Sequence, residues 1–303
     1  TIVGVSNNFY FVQARHVCNP VKFIVHQIQK IHELLWRHGR RIRGKAFHIR
    51  EHDRDRIKII GNDRISKDTS GGYGTGNNFG NKIVPSFLKY LMKKNSNWPP
   101  MHAIYTYSAL ENTGHEIVYK ENLEDDYNNF DLYIIVSSIV CCETEVDIIK
   151  LLKSENKKIF VIGPFATNNP DKYNDAGATI ISGESEFYFL KNKDKDFNED
   201  LKKKIVKFEH NFSIDDLPYP AWNKVIKNFD KVNNLFGRGK SVPILGTRGC
   251  PYSCQTYCVY PLQQGRKVRQ RDPKKIVDEM EYWRRNFGIT MFIFRDPVFS
   301  INK

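Results

Sequence analysis

Cys250, Cys254 and Cys258 lie in one short run, Gly249-Cys-Pro-Tyr-Ser-Cys-Gln-Thr-Tyr-Cys258-Val-Tyr-Pro261. Thiolates are ligands of iron–sulfur clusters and of zinc. Three of them this close can hold three irons of a [4Fe–4S] cluster, which four cysteines usually complete. The iron left over is open to a non-protein ligand, so such a cluster can do chemistry as well as store an electron. Structural zinc normally takes four ligands, often in pairs a few residues apart; here the nearest histidine is His210 and no fourth cysteine follows. A disulfide would leave one thiol over, and nothing resembling a secretory signal opens the chain, so reduced thiols are expected. Cys18, Cys141 and Cys142 read as buried thiols, the adjacent pair following an apolar strand.

The elements that must position the cysteines are legible on either side. Residues 241–248 read as an apolar strand running into the cysteine loop, which Gly249 and Pro251 turn tightly. Asp272-Pro273 predicts a helix start, with Asp as N-cap and Pro at the first helical position. Ile276, Val277, Met280 and Trp283 follow at helical spacing as one apolar face, and Gly288 marks the end. Met291 to Phe294 is a second strand, ending at Arg295-Asp296-Pro297. The order is strand, cysteine loop, helix, strand, with the cysteines at the C-terminal end of the first strand, where functional loops of α/β folds gather.

With Gly249-Cys-Pro-Tyr-Ser-Cys254, Tyr257-Cys258, Gly265 to Arg271 and Phe292 to Asn302, this region resembles the opening of a radical S-adenosylmethionine (SAM) enzyme domain. The resemblance implies a [4Fe–4S] cluster on the three cysteines, chelated at its open iron by SAM. One electron then cleaves SAM to methionine and a 5′-deoxyadenosyl radical that abstracts hydrogen from substrate. It also implies Tyr257 near the adenine, Asp296 facing the SAM pocket, and an external one-electron reductant of flavodoxin or ferredoxin type. The family spacing is C-x3-C-x2-C, whereas this chain reads C-x3-C-x3-C, with the extra residue within Gln255-Thr256-Tyr257.

Upstream, strands and helices alternate over 57–190. Ile57 to Gly61, Glu116 to Tyr119, Asp131 to Ser138, Lys158 to Gly163 and Thr179 to Gly183 are the candidate strands. Pro85 to Lys94, Met101 to Leu110 and Glu143 to Ser154 are the candidate helices. The alternation predicts a parallel, doubly wound α/β sheet. The glycine-rich stretch 70–80 has neither dinucleotide nor P-loop spacing. Pro99-Pro100-Met101 through Gly114-His115-Glu116, Ser137-Ser138, Gly163 to Thr167 and Gly183 to Glu186 resemble the cobalamin-binding domain that often precedes a radical SAM domain. By that resemblance Ser137, Ser138, Gly163, Thr167, Gly183 and Glu184 contact the corrin or its nucleotide tail. The D-x-H-x-x-G motif is absent, which leaves the lower axial position of cobalt unassigned.

The resulting expectation is a Rossmann-like cobalamin-binding domain over 57–190 and a linker over 191–240, followed by the first βα units of a radical SAM (β/α) barrel over 241–303. Residues 1–56 form an unassigned extension, with a strand at Ile2 to Val5. The stretch 191–216, with its Lys/Asp alternation, reads as solvated. The chain opens on Thr and stops soon after the second barrel strand, so an incomplete barrel is expected.

At 303 residues with 40% hydrophobic content, two domains are expected. No apolar run is long enough to span a bilayer, which points to a cytoplasmic protein without a membrane partner. The net charge of +13 raises nucleic acid as a partner. Nine Lys/Arg against three acids fall between Arg37 and Lys58, yet aromatic interleaving there is limited to Trp36 and Phe47, which favours a solvated basic surface. The leading reading is methyl transfer to an unactivated carbon of a small-molecule substrate that the sequence does not identify. The alternatives are an RNA-modifying methylthiotransferase-like enzyme, motivated by the charge, and a non-catalytic cobalamin-binding fragment.

Overall fold

The computed structural model describes residues 2–6, 9–13, 56–61, 99–111, 113–120, 129–139, 141–192, 196–208, 212–226, 229, 239–252, 258 and 260–299. Cys18, Cys254, Tyr257, the glycine-rich stretch 70–80 and the helix expected at Pro85 to Lys94 lie outside them. A short hairpin, β1 (Ile2–Ser6) and β2 (Phe9–Gln13), comes first. Strands β3 (Arg56–Ile60), β4 (Glu116–Lys120), β5 (Leu132–Val136), β6 (Lys158–Ile162), β7 (Thr179–Ser182) and β8 (Ile205–Lys207) form a six-stranded sheet. Every pairing in that sheet is parallel, in the order β4-β3-β5-β6-β7-β8.

The residue pattern accounts for the central position of β5. Its five residues, Leu-Tyr-Ile-Ile-Val, are all buried, as a parallel strand covered on both faces requires. Leu132, Ile134 and Val136 join one apolar cluster, with Ala103, Ala109 and Leu110 of helix α1 (Met101–Glu111). Tyr133 and Ile135 join the other, with Val146, Ile149 and Leu152 of α2 (Cys142–Ser154). Two short helices, α3 (Pro164–Asn168) and α4 (Pro170–Asn174), add Ala166 and Tyr173 to the α2 face. Helix α5 (Ser185–Lys191) adds Tyr188 and Phe189 to the α1 face. The sheet is therefore doubly wound, as expected.

Residues 196–208 correct the expectation of a solvated linker. They supply β8, which pairs with β7, and they bury Phe197, Asp200 and Val206. Lys/Asp alternation hid Phe197 and Val206, which the sheet edge takes in. The connector that follows is likewise packed: Trp222, in α6 (Trp222–Val225), is fully buried.

A second sheet contains β9 (Lys240–Ile244) and β12 (Ile289–Phe294), parallel to each other, with β2 antiparallel on the other side of β12. Pro243 is tolerated in β9 because β9 forms the sheet edge among the described residues. The strand read over 241–248 divides at Leu245-Gly246 into β9 and a two-residue strand, β10 (Thr247–Arg248). β10 pairs antiparallel with β11 (Arg269–Gln270), and α7 (Tyr260–Gln264) lies between them in sequence. Helix α8 (Pro273–Phe287) completes the βαβ unit. Asp272 caps it by accepting the Lys274 N–H at 2.9 Å, and Gly288 ends it at φ 67°. Val277 departs from expectation: it is 54% exposed, and Glu279 takes the buried position beside Trp283.

Helix α1 has no polar face because both its sides are covered. Met101, Ile104 and Tyr105 point away from the six-stranded sheet into a third cluster with Val242, Ile244, Trp283, Phe292 and Phe294 of the βαβ unit. A helix that is apolar all round is a buried one. Among the described residues no helix is long and apolar enough to cross a membrane.

Candidate functional site

The order β4-β3-β5-β6-β7 reverses direction between β3 and β5. In such open sheets ligands bind outside the carboxyl ends of the strands at that switch point. Ser137 and Ser138 follow β5 directly, Gly163 follows β6 and Gly183 follows β7. The structure joins them into one hydrogen-bonded edge. Ser137 Oγ accepts the Ala166 N–H at 2.9 Å. Thr167 Oγ1 donates to the Gly163 carbonyl at 2.9 Å and accepts the Gly183 N–H at 3.2 Å. Gly163 stands at φ 107°, and a side chain there would meet His102 Nε2 and Ser137 Oγ, each 3.0 Å from its first carbon.

Two residues of this edge escaped the sequence reading. His102, at the start of α1, has a buried Nε2 with no hydrogen-bond partner among the described residues. Burial, with Arg248 nearby, lowers its pKa to about 4, so the imidazole is neutral at physiological pH. Glu145, in α2, accepts the Ser138 N–H at 3.2 Å and the Tyr173 hydroxyl at 2.6 Å, both on Oε2. Burial pushes its carboxyl up to about 7, against the pull of those two donors. His102 follows the Pro99-Pro100-Met101 stretch already singled out; a Glu within the apolar spacing of Val146 and Ile149 was the available signal for Glu145. Cys141 is buried and Cys142 half-buried, at the start of the same helix.

The second locus is the cysteine loop. Cys250 is buried, and its N–H donates to the Gly265 carbonyl at 3.2 Å. Cys258 is half-buried. Gly249, at φ 88°, has the Lys267 carbonyl oxygen only 2.2 Å from where a Cβ would stand, so only glycine fits at the head of the loop. Its N–H donates to Gln264 Oε1 at 3.1 Å. Among the described residues no group of three or more His, Cys, Asp or Glu side chains converges on one point; the cysteine trio includes Cys254, which lies outside them. Asp296, just past β12, accepts the Gly246 N–H on Oδ1 at 2.7 Å. Its Oδ2 is buried without a partner among the described residues. Burial raises this carboxyl to about 6, with Gly246 and Thr247 pulling the other way.

The two loci touch. Helix α7, which follows the cysteine loop, lies against α3 of the strand-end edge. Glu184, next to Gly183, accepts Arg248 Nη1 on Oε1 and Arg269 Nη2 on Oε2, each at 2.7 Å. Arg248 also pairs with Glu186. Glu184 was expected at the corrin, and here two guanidinium groups occupy its oxygens. The Arg248 guanidinium lies 5.2 Å from the Tyr105 ring centre and 5.8 Å from that of Phe187. Burial works against its charge, and Glu186 and Glu184 more than offset that, so its pKa moves upward. Glu186 is shifted upward by burial, opposed by Arg248.

No protein-family model matches the chain. It is similar to an uncharacterised methyltransferase of Synechocystis sp., 28% identical over 174 residues that cover 54% of this chain and 30% of that protein. It is 27% identical over 214 residues to the bacteriochlorophyllide d C-8(2)-methyltransferase of Chlorobaculum tepidum, covering 68% of this chain and 44% of that protein. An uncharacterised methyltransferase of Pyrococcus horikoshii is 24% identical over 174 residues, 51% of this chain and 37% of that protein. The matched part spans less than half the length of each of these relatives.

Proposed function

We propose that this chain is part of a cobalamin-dependent radical SAM methyltransferase acting on a small molecule. In this reading Cys250, Cys254 and Cys258 hold a [4Fe–4S] cluster, and Ser137, Ser138, Gly163, Thr167 and Gly183 hold cobalamin. The observation that carries it is the abutment of the two loci, α7 on α3 and Arg248 on Glu184. A reaction that uses two cofactors on one substrate needs their sites side by side.

The residues suit the groups. Three thiolates on one loop are the donor set of a cluster with one open iron. At the strand ends, glycine at position 163 keeps a side chain off His102 Nε2 and Ser137 Oγ, each 3.0 Å from where a Cβ would stand, polar atoms of the kind that bind the amide fringe of a corrin. When bound, the cluster supplies the electron that cleaves SAM, and cobalamin carries the methyl group. The protein's part is to hold and shield. Gly249 and Gln264 shape the loop that carries the thiolates, and Asp296 offers a buried acceptor oxygen beside the end of β9 to a donor group of bound SAM. The neutral His102 adds a hydrogen-bonding nitrogen without adding charge. The methyltransferase names of the three relatives support the reaction class.

Anaerobic reconstitution with iron and sulfide, followed by visible spectra with and without hydroxocobalamin, tests the reading. About four irons per chain is expected, falling sharply in Cys250→Ala and Cys258→Ala, together with a corrin spectrum that survives gel filtration. A protein that takes up neither group would overturn it.

A further inference from the structure

Arg248 and Arg269 are direct partners across the ribbon formed by β10 and β11. That ribbon has only two rungs, Thr247 with Gln270 and Arg248 with Arg269. All three cysteines lie in the chain between its strands, so it is the root of the cysteine loop. A ribbon this short is marginal on its own, and like charges facing each other across an antiparallel pair repel. What offsets the repulsion comes from the other sheet. Glu184 gives one oxygen to each guanidinium, and Glu186 takes Arg248 from a further side. The group is nearly dry: Arg248, Glu184 and Glu186 side chains are 3%, 2% and 1% exposed. Arg269 Nη2 also donates to the Gln264 carbonyl at 3.0 Å, and Gln264 Oε1 accepts the Gly249 N–H. One carboxylate thus reaches both strands of the ribbon and, through Gln264, the residue before Cys250.

We infer that Glu184 is a positioning residue for the cysteine loop: it bridges Arg248 and Arg269, closes the ribbon at the loop's root, and sets the charge beside the cluster. The part concerning the cluster rests on the function proposed above. The bridge itself does not, because it follows from the facing arginines. Among the described residues, the ion pairs here join two guanidinium groups to two carboxylates. Removing one carboxylate makes the charge near the thiolates more positive, and cluster potentials respond to nearby charge. Since Gly183 is tied to Thr167, the same carboxylate links the strand-end edge to the loop.

The test compares wild type, Glu184→Gln, Arg269→Gln and the double variant. Measured quantities are iron retained after reconstitution, cluster reduction potential, hydroxocobalamin affinity, and hydrogen exchange at the amides of residues 247–250 and 269–271. For Glu184→Gln, iron retention is expected to fall about tenfold, the scale on which partners outside the ligand set act. The potential of whatever cluster remains moves positive, cobalamin affinity stays as in wild type, and exchange in the ribbon speeds up. Arg269→Gln removes the facing charge, so the double variant recovers iron and slow exchange relative to Glu184→Gln. If Glu184→Gln kept its iron, potential and slow exchange while losing cobalamin affinity, Glu184 would be a corrin contact and the inference would be wrong. If Glu184→Gln does not fold, Arg269→Gln alone decides: unchanged potential and exchange overturn the bridge. If wild type takes up no cluster, the proposed function fails, and ribbon exchange in Glu184→Gln still decides the bridge.

Discussion

Tyr173 donates its hydroxyl to Glu145 Oε2 at 2.6 Å, and that same oxygen takes the Ser138 N–H at the end of β5. The contact fastens α4 and the β5 strand end to one buried carboxyl. Folding raises the proton affinity of that carboxyl to about 7, so between the ordinary glutamate range and pH 7 the folded chain binds more protons than the unfolded one. Its contribution is therefore fully present at low pH and is lost as pH rises through about 7, by roughly 3 kcal/mol. Glu145→Gln keeps an acceptor for both donors without the charge. Thermal melts from pH 5 to pH 8 should show the variant gaining on wild type as pH rises. Parallel curves would show that the carboxyl titrates in the folded chain as it does in the unfolded one.

Two glycines at positive φ should respond differently to a methyl group. Gly288 has nothing within 4 Å of a built Cβ, so Gly288→Ala should cost only the left-handed penalty of about 1–2 kcal/mol. Gly249→Ala adds a collision with the Lys267 carbonyl and should cost more than about 3 kcal/mol. Urea titration of both variants gives the comparison directly. Equal costs would mean that the loop shifts freely around Lys267.

Arg271 Nη1 donates to Glu279 Oε2 at 2.5 Å and to the Leu245 carbonyl at 3.0 Å, with both side chains buried. Glu279→Ala leaves the guanidinium buried beside the more distant Asp215, and a loss of about 3–5 kcal/mol is expected. The exposed pair Arg56–Glu116 should lose far less on Glu116→Ala, because water screens it. Denaturant midpoints at fixed pH distinguish the two; similar losses would place Arg271 in contact with water.

Thr167→Val keeps the shape and removes the hydroxyl that joins Gly163 to Gly183. A loss of about 1–3 kcal/mol in stability is expected, because the buried Gly183 N–H is left without its acceptor. Thr167→Ser should recover most of it. Chemical denaturation of the three proteins is the check, and a Val variant as stable as wild type would remove Thr167 from the edge's support.

Local rules were sufficient where a residue's neighbours in sequence decide its state. Leu132 to Val136 announces a buried strand, and Asp272-Pro273 with Gly288 brackets α8 to the residue. Val277 and Glu279 show where such rules stop. Periodicity favours the valine, but Arg271 supplies a charge that makes burial of the glutamate tolerable, and that partner is visible only in three dimensions. β8 was hidden for a related reason, since its flanking lysines and aspartates outnumber the residues that pack. The facing of Arg248 and Arg269, and the Glu184 that answers them, depends on a contact across 64 residues, which no spacing reveals. The strand-end residues were found by resemblance; their mutual hydrogen bonds come from the parallel register, which brings the ends of β5, β6 and β7 level.

Helix α1 gives Ala103, Ala109 and Leu110 to the six-stranded sheet and Met101, Ile104 and Tyr105 to the βαβ unit. It also accepts the Ala221 N–H on Ser108 Oγ at 2.8 Å, and its Thr106 hydroxyl bonds that of Ser185 at 2.9 Å. A helix that serves as a wall for two rooms cannot be moved with only one of them. The parallel sheet is therefore not an interchangeable cassette: grafted onto another cysteine-loop unit, it would carry a face cut for Trp283 and Phe292, and α1 would have to be redesigned with it.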